Sequence, residues 1–118
     1  MAGNLVTSLP LVEAPACVGR LLPVHVETLT DGLTLDATYP NVLKLDPGGS
    51  ARIVVLPDVA AFNGVMFSII NAADADEDLT VNNAGASTIG TVGQNKRAEF
   101  WSDGTDWNLT AITTIALS

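Results

Sequence analysis

Residues 45–109, LDPGGSARIVVLPDVAAFNGVMFSIINAADADEDLTVNNAGASTIGTVGQNKRAEFWSDGTDWNL, decide the fold. The stretch breaks into short runs rich in Val, Ile, Thr and aromatic residues, each bounded by a cluster of Gly, Asn, Asp and Pro. Apolar runs of this kind between turn signals read as buried or half-buried strands. Strands are therefore predicted over 52–56, 65–70, 79–81, 88–92 and 97–101. The run 65–70 is the most continuous, which places it centrally in a sheet with Met66 and Phe67 both in the core. Residues 58–62 have room for one helical turn, closed by Asn63 and Gly64.

On the N-terminal side, Leu33, Leu35 and Ala37 alternate with Thr34, Asp36 and Thr38, the period of a strand with one face buried. Residues 41–45 form the next strand. The DPGG that follows presets φ at Pro47 and offers two glycines for positive φ, a tight turn that predicts a hairpin between 41–45 and 52–56. On the C-terminal side, Trp107, Leu109 and Ala111 alternate with Asn108 and Thr110. The uncharged ITTIALS at 112–118 either finishes that strand or pairs with a neighbouring chain, because a bare apolar edge invites association. About eight short strands at this spacing predict an all-β fold, a small antiparallel β-sandwich or barrel, over residues 31–118.

Residues 1–30 differ. Pro10, Pro15 and Pro23 punctuate an apolar, weakly charged segment and push it toward an extended arm. Such an arm needs a surface to lie on. It is either a first strand on its own domain or a tether to another subunit or a larger partner, with the proline restriction lowering the entropy lost on docking.

Composition narrows the function. The chain has 118 residues, enough for one domain with a worthwhile core. Thirteen acids against five bases give a net charge of −8, which repels phosphate backbones and argues against nucleic-acid binding. Only 15% of residues are charged, as on surfaces shared between subunits. A lone Cys17 and a lone His25 supply no intramolecular disulfide, no Cys/His metal set and no Cys–His pair. Prolines and charges interrupt the apolar N-terminal residues, so neither a signal peptide nor a membrane span is expected.

Several pieces in order, LDPGG leading into RIVVLP, then FNGVMFSIIN, ADADEDLTV and GQNKRAEFWSDGTDW, resemble a small module of tailed-bacteriophage virion proteins. Similar strings occur in capsid decoration (cement) proteins, in head fibres and in modules of tail fibres. The resemblance implies a non-catalytic all-β module that forms a homotrimer, with the major capsid protein as partner and no small-molecule substrate or cofactor. The near absence of a repetitive shaft favours a decoration protein over a fibre. It would be made in the host cytoplasm and sit on the outer surface of the capsid, with an N-terminal extension gripping the shell. The arm residues that fit this role are Leu9, Leu11, Val12, Arg20 and Leu21. Trp101, Trp107, Ile112 and Ile115 are the candidates for subunit contacts. The alternative homes are a fibre module for receptor or carbohydrate recognition and a calcium-binding β domain.

Catalytic constellations are lacking. Asp74, Asp76, Glu77 and Asp78 share one loop, whereas glycosidase carboxylates face each other across a cleft. No nucleophile elbow, phosphate loop or zinc-helix motif occurs. The spacing of Asp74, Asp76 and Asp78 can put alternate carboxylates around a hard cation, yet the loop lacks the Gly and the distal Glu of an EF-hand, so it reads first as a solvated turn. Trp101 and Trp107, with Tyr39, would make a sugar platform only if their rings were coplanar on one exposed face. Trp101 falls on the side of its strand opposite Phe100, so at least one of the two is expected to face outward or toward a partner.

Overall fold

The computed structural model describes residues 23–117. Nine strands make up the described chain: β1 (His25–Thr28), β2 (Leu33–Thr34), β3 (Val42–Asp46), β4 (Arg52–Val55), β5 (Met66–Asn71), β6 (Leu79–Asn82), β7 (Thr88–Val92), β8 (Lys96–Ser102) and β9 (Trp107–Thr114). They form a five-stranded sheet in the order β1-β3-β5-β8-β9 and a four-stranded sheet in the order β2-β4-β6-β7. The two sheets enclose one core, centred on Phe67 and Phe100 with Leu43, Leu45, Leu79 and Val81 around them. The all-β, two-layer architecture follows from the alternation in each run. Residues 43 and 45 of β3 are buried and those flanking them are half-buried, as period two requires.

The winding differs from the expected antiparallel order. The first six strands alternate between the sheets, and the pairs β1–β3, β3–β5, β2–β4 and β4–β6 are all parallel. The chain thus coils between the layers. Only β5–β8, β6–β7 and β8–β9 are antiparallel, closing the coil with two hairpins. The DPGG turn accordingly does not make a hairpin, because β3 already has β1 and β5 on its two edges and the chain must cross to the other sheet. Turn chemistry sets the bend and leaves open the plane in which the chain departs. Gly48 (φ 77°) and Gly49 (φ 106°) supply that bend, and Gly48 lies so close to the previous coil that a Cβ there would clash with the Leu29 carbonyl oxygen.

One further expectation is corrected by side-chain phase. Phe67 is buried, but Met66 is 47% exposed, because adjacent residues of one strand point to opposite faces. In the described part of the N-terminal arm, residues 23–30, β1 is the edge strand of the five-stranded sheet, and Leu29 beyond it is in the core. The single helical turn is present as a 3-10 turn at Val59–Ala61, capped by the Asp58 carboxylate.

Strand ends gather the loops at the two ends of the sandwich. One end carries the connections after β1, β3, β5 and β7, with Asp31, Asp74, Asp76, Glu77 and Asp78. The other carries those after β2, β4, β6 and β8, with Asp36, Asp58, Asp103 and Asp106. Acidity is therefore polar in distribution, and the sheet faces between the ends are nearly free of it.

Candidate interaction surface

The outer face of the five-stranded sheet is built by the residues out of phase with the core. Register aligns Val26, Lys44, Ile70 and Arg97 in one row across four strands. A second row carries Val42, Ser68, Glu99 and Thr110, and a third carries Met66, Trp101 and Asn108. Val26 is 68% exposed, Met66 47% and Trp101 42%. The charges on this face are Lys44 and Arg97 against Asp46 and Glu99, so it is electrically balanced on a chain of net charge −8.

Polar groups in the face are tied to one another. The Arg97 Nε–H donates to Ser68 Oγ at 2.7 Å and to Glu99 Oε2 at 2.8 Å, and the Ser68 hydroxyl donates to Glu99 at 3.1 Å. This network lets Ser68 stay buried in mid-sheet, since a buried hydroxyl needs a partner. The Trp101 indole N–H donates to Thr110 Oγ1 at 3.0 Å, which lays the ring toward β9. A fixed aromatic beside Met66 presents apolar area at low entropic cost, the pattern of a contact anchor.

Among the residues singled out from sequence, Leu9, Leu11, Val12, Arg20 and Leu21 lie outside the described residues. Trp101 is on the outer face, with Phe100 beside it in the core, and Ile112 on β9 is 40% exposed. Ile115 is half-buried just past β9, its N–H donating to the Asn95 carbonyl at 2.9 Å. Trp107 is corrected: it is 6% exposed, its ring packs 5.9 Å from Phe67, and its indole N–H donates to the Pro57 carbonyl. It belongs to the chain's own core. Tyr39 packs edge-on against His25 at 5.0 Å, so the three rings form no coplanar platform.

The acidic loop also assembles differently from its spacing. The carboxylates brought within 4.8 Å of one another are those of Asp46, Asp74 and Glu77, without Asp76 or Asp78. Asp46 accepts from the Gly48 N–H at 2.9 Å and Glu77 from the Gly49 N–H at 3.2 Å, so two of the three are engaged in holding the DPGG turn. The loop is held in place by a residue that the sequence reading missed. Buried Asn71 donates to the carbonyls of Glu77 (2.7 Å) and Val92 (2.8 Å) and accepts from the Ala73 N–H (2.9 Å). An Asn ending an apolar run looks like a turn residue, and nothing in the local sequence announces a buried clamp.

At the opposite end, Asp58, Asn83, Thr105 and Asp106 ring a recess of about 180 Å³ floored by Val59, Ile89 and Trp107. That end is stiffened by Asp103, whose carboxylate accepts from the N–H groups of Asp106 (2.7 Å) and Thr105 (2.9 Å) and from the Asn108 amide (3.3 Å). Those bonds, the one from Asp106 foremost, hold the Asp103 carboxyl below its ordinary value. No helix among the described residues is long and apolar enough to cross a membrane. A scan against protein-family models matches none, and searches of curated proteins and of solved structures match none.

Proposed function

We propose that this chain is a non-enzymatic structural module of a tailed-phage virion, which binds the outside of the assembled head and stabilises its lattice. The observation that carries the reading is the outer face of the five-stranded sheet, charge-balanced and carrying exposed Val26, Met66 and Trp101, while most of the acids of the described residues lie at the two ends. A broad face of exposed side chains across several strands suits a protein surface better than a small molecule. The order of sequence pieces between residues 45 and 107 supports the virion setting. In this reading the segment holding Leu9, Leu11, Val12, Arg20 and Leu21 grips the major capsid protein, and many weak contacts on one lattice add up through avidity.

The test is co-sedimentation of the purified protein with expanded, DNA-free heads of the phage that encodes it. Full-length protein is expected to saturate the heads and raise their resistance to heat. Protein lacking residues 1–22, and Trp101→Ala combined with Met66→Ala, are expected to lose occupancy while keeping their β circular dichroism. Failure of the full-length protein to bind heads overturns the reading. A second reading, a fibre module that recognises carbohydrate, is favoured by the recess at Asp58, Asn83, Thr105 and Asp106, which offers polar groups around an apolar floor. A glycan screen that finds binding lost in Asp106→Ala would favour it instead.

A further inference from the structure

An Asp or Asn followed by Gly is the backbone bond most prone to rearrange, and the chain has three: Asp31–Gly32, Asn63–Gly64 and Asp103–Gly104. The rearrangement needs the glycine nitrogen to reach the side-chain carbonyl carbon of the residue before it, and glycine offers no Cβ to hinder that approach. By sequence alone Asn63–Gly64 would react first, since an amide expels ammonia more readily than a carboxylate loses its oxygen. The two Asp–Gly bonds would react alike. The fold treats all three differently.

At Asp31–Gly32, in the connection between β1 and β2, both residues are exposed. The Gly32 N–H donates to Oδ1 of Asp31 itself at 2.8 Å. Nucleophile and carboxyl group are thus already in contact, an arrangement from which a ring closes with little further ordering. At Asp103–Gly104 the same two groups are held apart. The Gly104 N–H donates to Oγ of buried Ser102 at 3.1 Å, and Asp103 Oδ1 accepts from the Thr105 and Asp106 N–H groups. At Asn63–Gly64 the Gly64 N–H donates to the Ser102 carbonyl at 2.9 Å. The Asn63 side chain lies against Gly104, where an added Cβ would come within 3.1 Å of its Cγ. Ser102 therefore occupies both glycine nitrogens, one with its hydroxyl and the other with its carbonyl.

We propose that Asp31–Gly32 is a site of spontaneous isoaspartate formation in the folded protein, and that Ser102 shields Asn63–Gly64 and Asp103–Gly104 from the same reaction. The Gly32 nitrogen bonds to Asp31 Cγ and gives up its proton, the Cγ–OH bond breaks, and water leaves as a five-membered imide closes. Water then adds to either imide carbonyl. Addition at Cγ restores Asp31. Addition at the Asp31 main-chain carbonyl breaks its bond to the Gly32 nitrogen and leaves the chain running through Cβ and Cγ. The mass is unchanged, and nothing is oxidised or reduced. The extra backbone atom falls just before β2, which is held to β4 by the pairs Leu33 with Val54 and Thr34 with Val55, so the edge of the four-stranded sheet is the part that the product alters. The inference does not depend on the shell reading.

The experiment ages the full chain in mildly acidic buffer, where an aspartate carboxyl group is neutral part of the time, once folded and once in guanidinium chloride. Cleavage after Lys and Arg puts the three bonds in separate peptides, 21–44, 53–96 and 98–118. Chromatography with electron-transfer fragmentation then measures isoaspartate in each. The quantity compared is the native rate of each bond divided by its rate in the denatured chain, which removes the intrinsic difference between Asn and Asp. That ratio is expected to be at least about tenfold higher at Asp31 than at Asp103 or Asn63. Asp31→Glu, which would need a six-membered ring, is expected to remove isoaspartate from peptide 21–44 and leave the other two peptides unchanged. A ratio at Asp31 that comes within about tenfold of either of the others overturns the proposal, as does isoaspartate that persists in peptide 21–44 of Asp31→Glu.

Discussion

The Trp107 indole N–H donates to the Pro57 carbonyl at 2.9 Å, linking β9 of one sheet to the exit of β4 in the other between residues fifty positions apart. Both residues are buried, so the bond closes one end of the core where neither partner has water as a substitute. Trp107→Phe leaves the carbonyl without a donor and opens a small cavity beside Phe67. The expected cost is about 2–4 kcal/mol in urea unfolding. Trp101→Phe, on the exposed face, is expected to cost less than about 1 kcal/mol. Equal losses for the two would mean that the face carrying Trp101 is covered in the free protein.

Asn71 sets up a second contrast. Its amide satisfies two backbone carbonyls from separate segments, Glu77 and Val92, with no exposed surface of its own. Asn71→Ala is expected to destabilise by about 3 kcal/mol or more, since each orphaned buried acceptor costs roughly 1–3 kcal/mol. Asn71→Asp keeps the shape and the acceptor for Ala73 but turns the donor end into an acceptor facing two carbonyls. It is therefore expected to be worse than Ala at neutral pH, and chemical denaturation of the pair measures the order.

The glycines of the DPGG turn separate clash from backbone strain. Gly48 and Gly49 both have positive φ, but an added Cβ meets the Leu29 carbonyl at Gly48 and open space at Gly49. Gly49→Ala is expected to cost about 1–2 kcal/mol for the left-handed backbone alone. Gly48→Ala must in addition push β1 away from the turn, so its unfolding midpoint should lie well below that of Gly49→Ala.

These residues also indicate how far the sequence could be read. Alternation and turn clusters located nearly every strand, because side-chain phase and φ preference are local properties. The phase of Trp101 against Phe100 was legible for the same reason. The partner of each strand was not: Leu43 in β3 reads alike whether its neighbour is 52–56 by a hairpin or Ile69 by a crossing, and the crossing is what occurs. The continuous run through Met66 hid the phase of that one residue. Asp46 joining Asp74 and Glu77 depends on two coils stacking, a relation between distant segments that spacing within one loop cannot express.

The Asp103 carboxyl gives a prediction in pH. Hydrogen bonds from the Asp106 and Thr105 N–H groups lower its folded value below the ordinary 3.8. A group with a depressed folded pKa stabilises the fold fully above its unfolded value, about 3.9, and loses that contribution as pH falls through the lower folded value. Asp103→Asn keeps one acceptor for the turn but has no proton to gain. Unfolding curves taken downward from about pH 5 should therefore fall less steeply for Asp103→Asn than for the wild type below about pH 4. Parallel curves would mean that the carboxylate is not held by the turn in solution.

The cluster of Asp46, Asp74 and Glu77 predicts an opposite kind of effect. Three carboxylates within 4.8 Å repel one another, and the charges of Asp46 and Glu77 are already engaged by the Gly48 and Gly49 N–H groups. Asp74 is thus the member whose charge can be removed without loosening the turn. Asp74→Asn is expected to raise stability by about 0.2–1 kcal/mol in low salt with a chelator present. The gain should shrink as salt shortens the screening length. If Asp74→Asn destabilises instead, and added calcium raises the melting temperature of the wild type alone, the three carboxylates close around a cation and the loop is a metal site. A gain that fades with salt and ignores calcium assigns the cluster to solvent, because only unscreened repulsion between exposed charges behaves in that way.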